Sequence, residues 1–260
     1  MTIAPETPRR SIHRWIRRGF LSWAVISTLW LANSFRTQGV DHAFLQSSPA
    51  IMVRDEADAL EFLPTAPTGS TALIFFCGSG VSAHAYAPLL RPIAEAGYAV
   101  FIVKLPLRFA LLESHKRAAV ERARTLLATH PEITRWVVSG HSLGGALACR
   151  WIQTVPAGIS SMVLIGTTHP KSDDLSSVRM PVTKVYASND GVAPPDKTLA
   201  NSRLLPAHTR WVEVKGGNHS QFGHYGHQLF DGGASIDREE QQRITRSALL
   251  DALSDAAARR

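Results

Sequence analysis

From residue 51 onward the chain alternates short apolar runs with longer stretches of helical periodicity. "TALIFFC" (71–77), "YAVFIVK" (98–104), "RWVVSG" (135–140), "SSMVLIG" (160–166), "VTKVYAS" (182–188) and "TRWVEVK" (209–215) are β-rich and bounded by turn residues. Such runs suit strands buried on both faces. Ile51–Arg54 and Ala59–Leu63 read as a hairpin around Asp55-Glu56. Between the strands, helical patterns are predicted over about 86–96, 118–129, 144–153 and 195–205, and Arg238–Ala257 closes the chain as an amphipathic helix. Pro92 is expected to delay or kink the first of these. Strand and helix in regular alternation predict a single α/β domain, a mostly parallel central sheet covered by helices on both faces.

The N-terminus breaks this pattern. "GFLSWAVISTLWLANSF" (19–35) is apolar on every face and follows a cluster of arginines. The run has the length of a signal-peptide core and is short for a relaxed membrane span. It predicts an N-terminal hydrophobic helix that either anchors the chain in the cell membrane as a single pass, body outside the cytoplasm, or is cleaved after export. "RRGFL" (17–21) also fits the twin-arginine export pattern. The expected organisation is thus a basic N-terminus plus signal or anchor helix over 1–36, a polar linker over 37–50, and the α/β domain over 51–260.

Charge changes the picture only by its location. The 260 residues carry a net +7, and most of it lies in Arg9, Arg10, Arg14, Arg17, Arg18 and Arg36, opposed there by Glu6 alone. The body is near neutral and has no basic stripe to track phosphates, so nucleic acid is not an expected partner. Cys77 and Cys149 each fall inside a core element and are expected to be ordinary buried thiols.

The chemistry sits at strand ends. Gly140-His141-Ser142-Leu143-Gly144 fits G-x-S-x-G, directly after a strand and before a helix. A serine at so tight a turn is held with its hydroxyl exposed, and the helix N-terminus favours developing negative charge. A base and an orienting acid should follow in the order Asp, His. Asp190 stands just past the strand 182–188, whereas Asp173 and Asp174 lie in a polar loop fed by no strand. His219 is the first histidine beyond the strand 209–215. The oxyanion hole is expected from the amide of Leu143 and from Ser79 or Gly80, after the strand 71–77.

Together, "AYAPLLRPIAEAGYAVFIVKLPL", "HPEITRWVVSGHSLGGALA", "YASNDGVAP", "GGNHSQFGHYG" and "DGGASIDREEQQ" resemble the α/β-hydrolase superfamily, and within it a group of small bacterial membrane-anchored members of the fold-5 type. The resemblance spans roughly 71–245. It implies an α/β-hydrolase fold with Ser142 as nucleophile, Asp190 as acid and His219 as base. The chain departs from the group at Cys77-Gly78-Ser79, where Pro-Gly-Gly is usual, and at Ser82, where an acid is usual.

The function expected is a serine hydrolase of carboxylesterase type acting on a small or medium acyl ester, with no cofactor. Lactone or thioester hydrolysis, acyl transfer, or a ligand-binding scaffold without turnover are the alternatives. His84, Tyr86, His141, His169 and His224 are candidates for the substrate pocket. His219, His224 and His227 could instead gather a zinc ion, but the loop is glycine-rich and lacks the acid or cysteine partners such sites use; no metal is expected.

Overall fold

The computed structural model describes residues 8–154 and 156–259. Eight strands form one sheet in the order β1-β2-β4-β3-β5-β6-β7-β8. They are β1 (Ile51–Asp55), β2 (Ala59–Pro64), β3 (Thr71–Phe76), β4 (Ala99–Val103), β5 (Arg135–His141), β6 (Ile159–Ile165), β7 (Val182–Ala187) and β8 (Arg210–Val214). The hairpin β1–β2 is antiparallel and joins β4 antiparallel; every pairing from β4 to β8 is parallel. β3 is buried along its whole length, as its unbroken apolar run requires.

Helices cover both faces. α2 (Ala87–Glu95) and α6 (Arg238–Ala258) pack on each other and on the sheet, and α3 (Glu113–Thr129) packs with α4 (Leu143–Ile152) on the other side; α5 (Pro195–Ala200) lies beside β7. α3 begins five residues earlier than its apolar period suggested. Glu113 explains this, because an acid in the first turn suits the helix dipole and here it also pairs with Lys116 and Arg150. Cys77 and Cys149 are free and buried, and burial pushes both thiols up, Cys149 to about 12.

Residues 37–50 do not behave as a free linker. Thr37 bridges Tyr225, Gln38 donates its amide to His224, Asp41 caps a short 3-10 turn, and buried Arg91 donates to the carbonyls of Ala43 and Gln46. Val40, Phe44 and Leu45 of the same segment pack against the core.

The N-terminal helix α1 (Pro8–Phe35) is 28 residues long. It exposes Trp15, Phe20, Trp23, Ile26 and Leu29, yet no helix among the described residues is long and apolar enough to cross a membrane. The expected spanning segment is corrected accordingly: Ser22, Ser27, Thr28 and Asn33 dilute the run, and arginines precede and follow it. The end of α1 touches the body, where Ser34 is buried and the Phe35 ring meets Phe109 edge-on at 5.3 Å.

The register brings the carboxyl ends of five strands to one edge. Phe76 aligns with Gly140, His141 with Ile165, and Ala187 with Val214. Loops leaving β3, β5, β6, β7 and β8 therefore emerge side by side, where open α/β sheets bind ligands.

Candidate active site

Ser142 occupies the turn between β5 and α4 with φ 56° and ψ −118°. A non-glycine residue in that region is strained, and close packing holds it there. A Cβ on Gly140 would lie 2.3 Å from the Gly144 backbone, one on Gly144 would lie 2.1 Å from the Phe76 carbonyl oxygen, and one on Gly145 would lie 2.5 Å from Thr167. Only glycine lets β5, α4 and the end of β3 approach so closely. Ser142 itself is partly exposed.

Asp190 and His219 are both buried, and His219 Nδ1 lies 2.8 Å from Asp190 Oδ2. The other carboxylate oxygen, Oδ1, accepts the amides of Val192 at 2.9 Å and Ala193 at 2.6 Å. A carboxylate so bound leaves its Oδ2 to receive Nδ1–H, which makes His219 Nε2 the acceptor nitrogen. Nε2 is buried and has no partner among the described residues, and no hydrogen bond joins it to Ser142. Tyr225 donates its hydroxyl to the His219 carbonyl at 3.0 Å.

The loop after β3 holds a network that sequence did not predict. Gly78 donates its amide to the Tyr86 hydroxyl at 3.0 Å, and that hydroxyl lies 2.9 Å from His141 Nδ1. Because Tyr86 accepts from Gly78, its own proton is free to go to His141. Tyr86 and His141 are wholly buried, which corrects their expected place on the pocket wall: they stand behind the loop. Burial, and secondarily the nearby His219, holds His141 well below the usual histidine range, so it is neutral. Its ring centroid is 4.5 Å from that of His219.

Of the expected oxyanion donors, Gly80 is corrected. Its amide is bonded to the Arg108 carbonyl at 2.9 Å, and its φ of +76° turns it beneath the Phe35 and Phe109 rings. The amides of Ser79 and Leu143 carry no hydrogen bond among the described residues, and the Ser79 hydroxyl is anchored on the Phe109 carbonyl at 2.9 Å.

The other histidines disperse. His84 pairs with Asp55 at 2.8 Å and lines a cleft of about 390 Å³ with Lys104, Arg108 and Arg122, beside the β3 loop. His169 is half-buried against Thr167 and Lys184, and burial brings it down to about 4. His224 lines a separate cleft of about 710 Å³ between α2 and α6. His227 Nε2 lies 3.1 Å from the Asp231 carbonyl. The three clustered histidines thus point to different partners, and no group of three or more His, Cys, Asp or Glu side chains could hold a metal ion among the described residues.

The comparisons with known proteins agree with this frame. No curated protein sequence matches the chain. Among solved structures it is similar to one described as a "predicted CIB-like hydrolase" from Thermoplasma acidophilum, at 17% identity and TM-score 0.60 over 77% of this chain and 99% of that one. It is also similar to an esterase/lipase from an uncultured bacterium, at 13% identity and TM-score 0.59 over 80% and 87% of the two chains. The carboxylesterase CesB (YbfK) of Bacillus subtilis superposes at 11% identity and TM-score 0.55 over 82% and 94%. At such identities the likeness is one of fold. Residues 72–243 match the sequence profile described as "Alpha/beta hydrolase family", and with well over half of its length inside that match the chain belongs to the alpha/beta hydrolase family.

Proposed function

We propose that the chain is a serine hydrolase of carboxylesterase type. The observation that carries this reading is the buried Asp190–His219 pair, its Nε2 left unpartnered, at the same sheet edge as a serine held at positive φ. In this reading Ser142 Oγ attacks the acyl carbonyl and gives its proton to His219 Nε2. The amides of Leu143 and Ser79 receive the developing oxyanion. His219 then protonates the departing alcohol, and water repeats the cycle on the acyl-enzyme. Asp190 orients the imidazole and stabilises its charged form.

Turnover of a short chromogenic acyl ester, with labelling by a fluorophosphonate, tests it. Ser142→Ala should abolish labelling and lower kcat by roughly four to six orders of magnitude. His219→Ala should do nearly the same, and His224→Ala should leave the rate within a few-fold. Equal labelling of wild type and Ser142→Ala would sink the assignment, and a folded protein with no turnover of any acyl ester would favour a binding scaffold. A profile across esters, lactones and thioesters then identifies the leaving group.

For location, the exposed tryptophans, Phe20, Ile26 and Leu29 of α1, beside Arg14, Arg17 and Arg18, support a seat of α1 on a membrane surface. Full-length chain should fractionate with membranes and the chain lacking residues 1–36 should not; identical fractionation would refute this.

A further inference from the structure

We propose that Asp231 is a positioning residue for hydrolysis, holding the acid loop and the base loop in one alignment; this rests on the triad reading above. Asp231 lies on the β8–α6 segment that also carries His219, twelve residues past it. Its carboxylate reaches both the base's own stretch of that segment and the loop after β7 that carries Asp190. Oδ1 accepts the amides of Gly191 at 3.2 Å, His219 at 3.1 Å and its own neighbour Gly232 at 2.9 Å. Oδ2 accepts the amide of Ser220 at 2.8 Å and its hydroxyl at 2.6 Å.

Two of those donors decide the argument. Gly191 is the residue after Asp190, and the His219 amide belongs to the proposed base itself. One side chain therefore joins the backbone of both partners of the 2.8 Å Asp190–His219 contact. The surrounding backbone is interleaved to match. A Cβ on Gly191 would lie 2.0 Å from the Phe230 carbonyl oxygen, and one on Gly232 would lie 2.1 Å from that of Asn189. Asn189 donates its side-chain amide to the Gly233 carbonyl, and Asn218 donates its own to the Gly232 carbonyl, at 2.9 Å and 2.8 Å. Residues 230–233 thus clamp 189–191 to 217–220, with the Asp231 carboxylate at the centre.

The consequence is directional. Among the described residues Asp231 makes no hydrogen bond to Ser142 or to Nε2, so its effect should fall on alignment and not on binding of the acyl group. Loosening it should let the His219 ring drift relative to Ser142, and drifts on the order of 1 Å at a reacting centre cost about 100-fold. The loss should fall on kcat and spare KM. Asp231→Asn keeps the shape and one acceptor oxygen, but turns an N–H towards the Ser220 donors.

The test is steady-state turnover of a short acyl ester by Asp231→Asn in the full chain, with fluorophosphonate labelling rate and thermal midpoint measured in parallel. The expected result is a fall in kcat of about 10- to 100-fold, a matching fall in labelling rate, and KM within about threefold of wild type. A folded Asp231→Asn with unchanged kcat and labelling rate would overturn the proposal and make Asp231 a loop staple only, as would a rise in KM at unchanged kcat. Should Asp231→Asn fail to fold, Ser220→Ala removes one of the five donors; a kcat lower by about two- to fivefold at constant KM is expected, and an unaltered kcat refutes the role. Ser142→Ala separates the two readings. If it retains turnover, the triad assignment falls; if it is inactive while Asp231→Asn turns over normally, only the positioning role falls.

Discussion

The two halves of the candidate site are held in place by different physics. On the nucleophile side, Gly140 and Gly144 put backbone against backbone, Gly145 puts backbone against the Thr167 side chain, and this packing holds Ser142 at its strained φ. On the acid–base side, Asp190 and His219 sit in loops fixed by side-chain acceptors that collect amides: Asp190 itself, Asn218 and Asp231. The first half is steric and the second is hydrogen-bonded. A steric frame fails abruptly when one atom is added. A hydrogen-bonded frame loosens by degrees as donors are removed.

Gly144→Ala is the harshest test of that contrast. The added methyl would lie 2.1 Å from the Phe76 carbonyl oxygen and 2.7 Å from that of Cys77, both backbone atoms with no flexible end to yield. Overpacking of this kind costs about 1–3 kcal/mol, more where backbone must shift. Because the displaced strand end leads into the β3 loop, activity should fall by about 1,000-fold or more in protein that still folds. A variant with near-normal kcat would show that the nucleophile side is more compliant than its packing suggests.

Between the extremes stands Tyr86, which belongs to the nucleophile side yet works by a hydrogen bond. Tyr86→Phe removes the acceptor for the Gly78 amide and leaves His141 Nδ1 without its partner, both in buried surroundings. The expected cost is about 1–3 kcal/mol in stability, read from denaturant unfolding. The expected loss in kcat is about tenfold, as Ser79 loses the anchored neighbour that aims its amide. A loss as large as that of Gly144→Ala would mean that hydrogen bonding, and not packing, governs this half too.

The sheet, its helices and the placement of the candidates Ser142, Asp190 and His219 just past the ends of β5, β7 and β8 were legible from the sequence because each depends on local pattern: apolar runs, a glycine-bounded serine, an acid and a histidine beyond a strand. What escaped depends on where individual N–H groups point. Gly80 and Ser79 are indistinguishable as oxyanion candidates until the loop conformation sends one amide to Arg108. Tyr86 and His141 were expected to line a pocket because they neighbour the site in sequence, yet the fold turns them inward. Asp231 stood in "DGGASIDREEQQ" with no role, since the amides it joins beside Asp190 and at His219 and Ser220 lie 11 to 40 residues away. The docking of 37–50 was hidden for the same reason.

Lys184 gives the smallest effect on activity and the clearest sign. It is buried on β7, on the acid–base side, where its ammonium donates to the His169 carbonyl. Burial brings it from 10.5 down to about 8, with the nearby Cys149 opposing. The folded value is below the unfolded one, so the fold disfavours the proton. Stability is therefore greatest above the unfolded value of 10.5 and is lost as pH falls through about 8. Lys184→Met removes that penalty but orphans one carbonyl, for a net gain of about 1–2 kcal/mol near pH 7. The gain should shrink between pH 8 and pH 10.5 in denaturant midpoints taken across that window. Because Lys184 donates to none of the Asp190, His219 or Asp231 acceptors, kcat should remain within about twofold. A large drop in kcat would extend the hydrogen-bonded half from the loops into the strand beneath them, and a pH-independent gain would remove the buried charge as its cause.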